Sequence, residues 1–268
     1  MSRFQSANIH PEAKIGEGVT IEPFATVHRD VIVGEGTWVG PYVTLMDGAR
    51  IGKNCKIFPG AVISAIPQDL KFKGEQTTVE VGDNTTIREC VTLNRGTVDQ
   101  YRTVIGSNCL LMAYVHVGHD CKIGNHCILG NVAQLAGHVV IDDFAIFGGS
   151  CAIQQFSKIG AHAYIGGGSL VRKDVPPYTK AAREPLSYAG VNSVGLRRRG
   201  FSTEKISEIQ EIYRYIFLKG LNNSKALDLV EREIAASLER DYIINFIRSS
   251  EQGIMKGFTT NVAPLNED

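Results

Sequence analysis

Residues 105–171 read IGSNCLLMAYVHVGHDCKIGNHCILGNVAQLAGHVVIDDFAIFGGSCAIQQFSKIGAHAYIGGGSLV, and this stretch decides the fold. Counting in sixes from Ile105 gives Leu111, Val117, Ile123, Leu129, Leu135, Ile141, Phe147, Ile153, Ile159, Ile165 and Val171. An amphipathic helix repeats its apolar residues every 3.6 positions and a simple strand every two. A period of six fits neither. It fits a solenoid in which a short strand alternates with a turn. The aliphatic side chain points inward. The next residue is often glycine, as at Gly106, Gly118 and Gly124, and small residues such as Ala133 and Ala145 sit where the chain bends.

Worked backwards, the period reaches Ile9. Of 28 positions from Ile9 to Val171, 25 are Ile, Val, Leu or Phe. Chance would place those types at roughly a quarter to a third of sites. The exceptions, Asp69, Glu75 and Asp99, mark two polar interruptions at about 66–78 and 98–104 that keep the phase. Long loops in a regular solenoid are functional or disordered. The expected class is mostly β: a parallel β-helix over 1–176 with two loop excursions. Three hexads close one triangular coil of ~18 residues, and coils stack at ~4.8 Å. Residues 18 apart are therefore vertical neighbours.

Pro176 and Pro177 are read as the end of the solenoid. Residues 177–268 form a crossing segment, irregular to about residue 200, and a helical domain that caps the last coil. Ser202 is the expected N-cap of a helix that stops at Gly220. A second helix is expected from Ser224 to about Leu238 and a third from about Arg240 to Ser250.

The whole chain sets outer bounds on function. Its 268 residues carry 28 Lys+Arg and 28 Asp+Glu, so no global basic field favours nucleic acid. No apolar run approaches the length of a membrane span. The opening MSRFQSANIHPEA lacks the apolar core of a secretory signal. Cys55, Cys109, Cys121, Cys127 and Cys151 occupy small inward positions, and only Cys90 falls elsewhere. They read as core packing, with neither a zinc pair nor a disulfide frame.

Chemistry gathers at three histidines. His116 and His119 lie three apart, and a step of 18 carries His119 to Gly137 and Asp120 to His138. One reading is a general base (His119) oriented by Asp120, with the Gly137 N–H facing a developing oxyanion. A ladder of surface histidines and a zinc site are the alternatives. His10, His28, His126 and His162 read as solvated. Gln68, Asp69 and Lys71 on the first loop suit a sugar hydroxyl and a phosphate, or a solvated loop. The run Arg197–Arg199 suits a diphosphate or a carrier protein, or a solvated face.

The segments PQDLK, LNRGT, LLMAYVHVGHDC, LAGHV, QQF, IGAHAYIGG, DVPPY and GVNSVGLRRRGF, in that order, closely resemble the bacterial acyl-[acyl-carrier-protein]:UDP-N-acetylglucosamine O-acyltransferase family, over nearly the whole chain. The resemblance implies a left-handed β-helix and a cytoplasmic homotrimer of a Gram-negative-type bacterium, with sites between neighbouring prisms. It implies transfer of a 3-hydroxyacyl chain from acyl carrier protein to the 3-hydroxyl of UDP-N-acetylglucosamine in lipid A biosynthesis, with no cofactor. It makes His119 the base, Asp120 its partner and Gly137 the oxyanion donor. Asp69 would meet the sugar and Lys71 the phosphate. His116, His138 and Gln155 would line the cleft, and Asn192, Arg198 and Arg199 would hold the nucleotide. Gly166, Gly167 and Gly168 would leave the acyl groove open to a chain of ~14 carbons or longer. Gln154 and Val194 depart from the family's usual His and Glu. An N-acyltransferase, a coenzyme A-dependent acetyltransferase, a carbonic anhydrase and a non-catalytic trimeric scaffold are the rival readings.

Overall fold

A computed structural model describes residues 6–257. The hexads build a three-sided prism. Short strands, mostly of two residues, alternate with turns, and successive hexad strands go to three different sheets, of 9, 8 and 11 strands among the described residues, that are parallel throughout the hexads. Each hexad strand pairs with the hexad strand three further along the chain. Asn8 lies opposite Thr26, and Lys14 opposite Ile32, a step of 18 residues. At the first interruption the step lengthens to 30, with Val79 opposite Ala49. At the second it becomes 24, with Thr92 opposite His116. The extra 12 and 6 residues are whole hexads, which is why the phase survives both loops.

The prism core consists of the sixth-position residues. From Ile21 to Val171 all of them but Asp69, Glu75 and Asp99 are buried. Burying one such side chain contributes about 1.5–3 kcal/mol. Five of the six cysteines are buried in the same core, and Cys90 is half-buried.

The corners of the prism hold residues with left-handed backbone. Between the first and second sheets lie Asp120, His138 and Phe156 in one column, all with positive φ. Between the second and third lie His126, Phe144, His162 and Tyr178. Between the third and first lie Phe24, Tyr42, Tyr114, Val132 and Gly168.

The sheet does not end at Pro176–Pro177. Thr179–Ala182 adds a further parallel strand beside Tyr164–Ile165, and Ser187–Val191 turns back antiparallel to it. The two prolines are accommodated in a turn, because the next strand supplies its ladder donors after them. The crossing segment also contains a helix, α1 (Ser193–Arg198), with Asn192 as N-cap. Three longer helices follow: α2 (Thr203–Leu218), α3 (Asn223–Glu233) and α4 (Leu238–Arg248). Ser202 caps α2 as expected. The α3 helix stops five residues before Leu238, and Ser237 then caps α4. The helices have their own core around Ile209, Ile212 and Tyr213. They are tied to the last coils by Tyr213, whose hydroxyl donates to Pro177 O, and by Tyr242, whose hydroxyl donates to Asp142 Oδ2 at 2.5 Å. Residues 258–268 of the expected helical domain lie outside the described residues.

Candidate active site

Strand His116–Val117 belongs to the first sheet, and Gly118, His119 and Asp120 form the corner after it. Asp120 has φ +59°, a left-handed conformation that Asp tolerates better than most residues. The His119 ring and the Asp120 carboxylate both belong to this corner, and the ring is nearly buried there. Its Nδ1 lies 2.8 Å from Asp120 Oδ2. With Nδ1–H donating to that carboxylate, Nε2 carries the free lone pair. On that side Asp69 Oδ2 stands 4.0 Å away, carried in by the first loop.

The coil above completes the arrangement. The His138 N–H donates to His119 O at 2.9 Å. A methyl group at position 137 would stand 2.6 Å from Cε1 and Nε2 of His119, so the ring occupies the space a side chain would need. The Gly137 N–H makes no hydrogen bond among the described residues. A methyl at position 118 would stand 2.8 Å from that nitrogen, so Gly118 keeps it uncovered.

Burial alone would raise the Asp120 pKa. Hydrogen bonds from the Thr97 hydroxyl, His119 and the Thr97 N–H outweigh it and hold the carboxyl below the usual carboxylate value. His116 opens the strand that leads into this corner, its Nδ1 2.8 Å from the Thr92 hydroxyl, and burial pulls its pKa down.

Two cavities meet at this corner. One, of about 550 Å³, follows the first sheet upward past Gln68, His116, His119, Gly137, Gln155 and Arg172. The other, of about 290 Å³, lies between the two loops and is lined by Asp69, Lys71, Asp99, His138 and Gln155. His119, Asp120, Gly137, Gln68, Asp69, Lys71, His116, His138 and Gln155 thus come together. Gln154, one of the departures from the family pattern, also lines the larger cleft.

Two expected groups lie elsewhere. Asn192 is buried; its Nδ2 donates to His162 O at 3.0 Å and its Oδ1 accepts from Gly195 N–H. The Arg199 guanidinium lies over the Phe144 ring at 5.1 Å. Both belong to the corner between the second and third sheets, not to the His119 corner. Arg198 is exposed beside them. Gly166–Gly168 lie at the turn from third sheet to first and line neither of the two cavities. His162, read as solvated, is half-buried in a stack with Phe144 and Tyr178. Burial pushes its pKa down to about 4, with Arg199 adding to the effect.

The sequence reading missed Thr97, Gln100 and Thr103, which close around Asp120, and Asp99, whose carboxylate lies 3.2 Å from His138 Nδ1. One signal was available. Thr103 stands 17 residues before Asp120, the spacing by which a backbone group reaches the adjacent coil.

Residues 30–65 and 102–137 match the bacterial transferase hexapeptide repeat. Residues 174–255 match the family described as UDP N-acetylglucosamine O-acyltransferase, domain 2. An acyl-[acyl-carrier-protein]–UDP-N-acetylglucosamine O-acyltransferase of Chlorobaculum parvum is 58% identical over 254 residues, covering 92% of this chain and 96% of its own. This chain belongs to the UDP-N-acetylglucosamine O-acyltransferase family. Solved structures of the family agree. The enzyme of Bacteroides fragilis superposes with a TM-score of 0.93 at 52% identity, over 94% of this chain and 99% of its own. An Arabidopsis member gives 0.83 at 34% identity, over 94% and 99%. No described helix of this family member is long and apolar enough to cross a membrane.

Proposed function

We propose that this chain, like the relatives it matches, moves an acyl group from acyl carrier protein to UDP-N-acetylglucosamine in lipid A biosynthesis, and that His119 is its general base. The observation that carries the base assignment is the fixed ring. Asp120 takes Nδ1, Gly137 leaves room for the imidazole, and Nε2 faces the cleft.

The step balances with this chain's own residues. His119 Nε2 takes the proton of the sugar 3-hydroxyl, and that oxygen attacks the thioester carbonyl of a 3-hydroxyacyl chain. The Gly137 N–H meets the tetrahedral oxyanion. The C–S bond then breaks, and the leaving thiol takes the proton back from His119. Asp69, facing Nε2, receives a sugar hydroxyl, and Lys71 a phosphate. No cofactor is used. Four donors already surround the Asp120 oxygens, so the His119–Asp120–His138 cluster suits a base better than a metal.

The active unit in this reading is a trimer with shared sites. The nucleotide set of Asn192, Arg198 and Arg199 lies at a different corner from His119, so one chain cannot bring both to one substrate. The third corner carries an exposed apolar column of Phe24 (59% exposed), Tyr42 (63%), Tyr114 (60%) and Val132 (44%), the kind of surface that marks self-association. A methyl at Gly168 would meet nothing within 4 Å, whereas one at Gly166 or Gly167 would press on Ala182 or Gly149; in this reading the open space at Gly168 admits a chain of ~14 carbons or longer. Co-expression of His119→Ala and Arg199→Ala chains tests the shared site. Mixed assemblies regain activity that neither variant has alone, and inactive mixtures that assemble normally would reject it.

A further inference from the structure

The start of the second loop packs against the residue that holds the base. The Asp120 side chain has no exposed surface. Its Oδ1 accepts the Thr97 N–H at 2.8 Å and the Gln100 N–H at 3.2 Å. Its Oδ2 accepts the Thr97 hydroxyl at 2.6 Å and faces His119 Nδ1 at 2.8 Å. The Asp120 N–H donates back to the Thr103 hydroxyl at 2.9 Å. A hexad inserted between coils has become a clasp around one carboxylate.

We propose that Thr97 is a positioning residue for acyl transfer, holding the Asp120 carboxylate so that Oδ2 points at His119 Nδ1. This rests on His119 acting as the base. The ionisable groups facing the carboxylate are His119 and His138, the latter with Nε2 at 3.7 Å. Behind them stand Asp69, against His119, and Asp99, against His138. Among the described residues no Lys or Arg pairs with Asp120. The buried charge therefore depends on neutral donors, and Thr97 supplies two of them. Among the described residues its hydroxyl is the only hydrogen-bond donor besides His119 on Oδ2. Without it, Oδ2 still faces His119 Nδ1 but loses the bond that fixes its direction, so the ring is oriented less firmly.

Removing the hydroxyl also leaves Oδ2 more basic, so the imidazolium is held more tightly and the acid limb of the rate profile moves to higher pH. A residue that merely packs would not move that limb.

The test is kinetics of the intact protein with Thr97→Val and Thr97→Ser, assayed with UDP-N-acetylglucosamine and 3-hydroxyacyl carrier protein from about pH 5.5 to 9. Thr97→Val is expected to lower kcat about tenfold, the worth of one charge-assisted hydrogen bond. KM for the sugar nucleotide should hold, and the acid limb should rise by about half a pH unit. Thr97→Ser should restore both. If Thr97→Val does not fold, as judged by circular dichroism, Thr97→Ala gives the same reading. A folded variant without the hydroxyl that keeps the parental kcat and limb would overturn the proposal. So would a Thr97→Ser variant as impaired as Thr97→Val. A fully active His119→Ala protein would instead overturn the base assignment, which separates the two failures.

Discussion

The His119 imidazole rests on Gly137: a methyl there would stand 2.6 Å from two ring atoms. Gly137 has no left-handed φ to explain it, so the glycine is present for contact and not for backbone freedom. Gly137→Ala should displace the ring and lower kcat about 100-fold, the size of a general-base contribution. The fold should survive, because the corner faces the cleft. Steady-state kinetics and a melting curve on the same preparation check both halves.

Gly118 guards the neighbouring donor. A methyl there would press within 2.8 Å of Gly137 N. Gly118→Ala should reduce kcat by about 10²-fold, as loss of an oxyanion donor does, while KM for UDP-N-acetylglucosamine changes little. A larger effect on KM than on kcat would mean that the nitrogen serves substrate binding.

Asp120 links the site to acid stability. Its folded pKa lies below the ordinary value. The stability it adds is therefore fully present above about pH 3.9, the unfolded value, and is lost as pH falls through the folded one. Asp120→Asn should lower kcat by 100-fold or more, on the order of a lost base–orienter pair. It should also flatten the acid end of the denaturation profile, measured by circular dichroism between about pH 2 and 5.

His162 acts at less acidic pH than Asp120. Its pKa falls to about 4 through burial first and Arg199 second. The unfolded chain takes up a proton at about 6.5, so stability declines as pH drops from there toward 4. His162→Phe keeps the stack with Phe144 and Tyr178 and removes that proton uptake. The melting temperature of the variant should fall less between pH 7.5 and 5 than that of the parent, by differential scanning calorimetry.

Much of this was legible in the sequence because a solenoid is nearly one-dimensional. Steps of 18 put His119 beside Gly137 and Asp120 beside His138 with no knowledge of tertiary packing. What escaped the reading were groups whose positions the period does not set. Thr97, Asp99 and Gln100 sit in an inserted hexad, where the path of the loop decides what they touch. The strand at Thr179–Ala182 escaped because two prolines looked like an end, although the lost donors fall in a turn. Asn192 and Arg199 carry the right chemistry for a nucleotide, but no spacing within one chain reveals that they stand at another corner from His119.

The most direct measurement is mass analysis of the product formed from UDP-N-acetylglucosamine and 3-hydroxyacyl carrier proteins of graded length, by the parent protein and by His119→Ala. The parent should yield the O-acylated sugar nucleotide, with chains of about 14 carbons or more preferred, and the variant about 100-fold less of it or lower still. No acylated nucleotide from the parent, or parental turnover by a folded His119→Ala protein, would contradict the account.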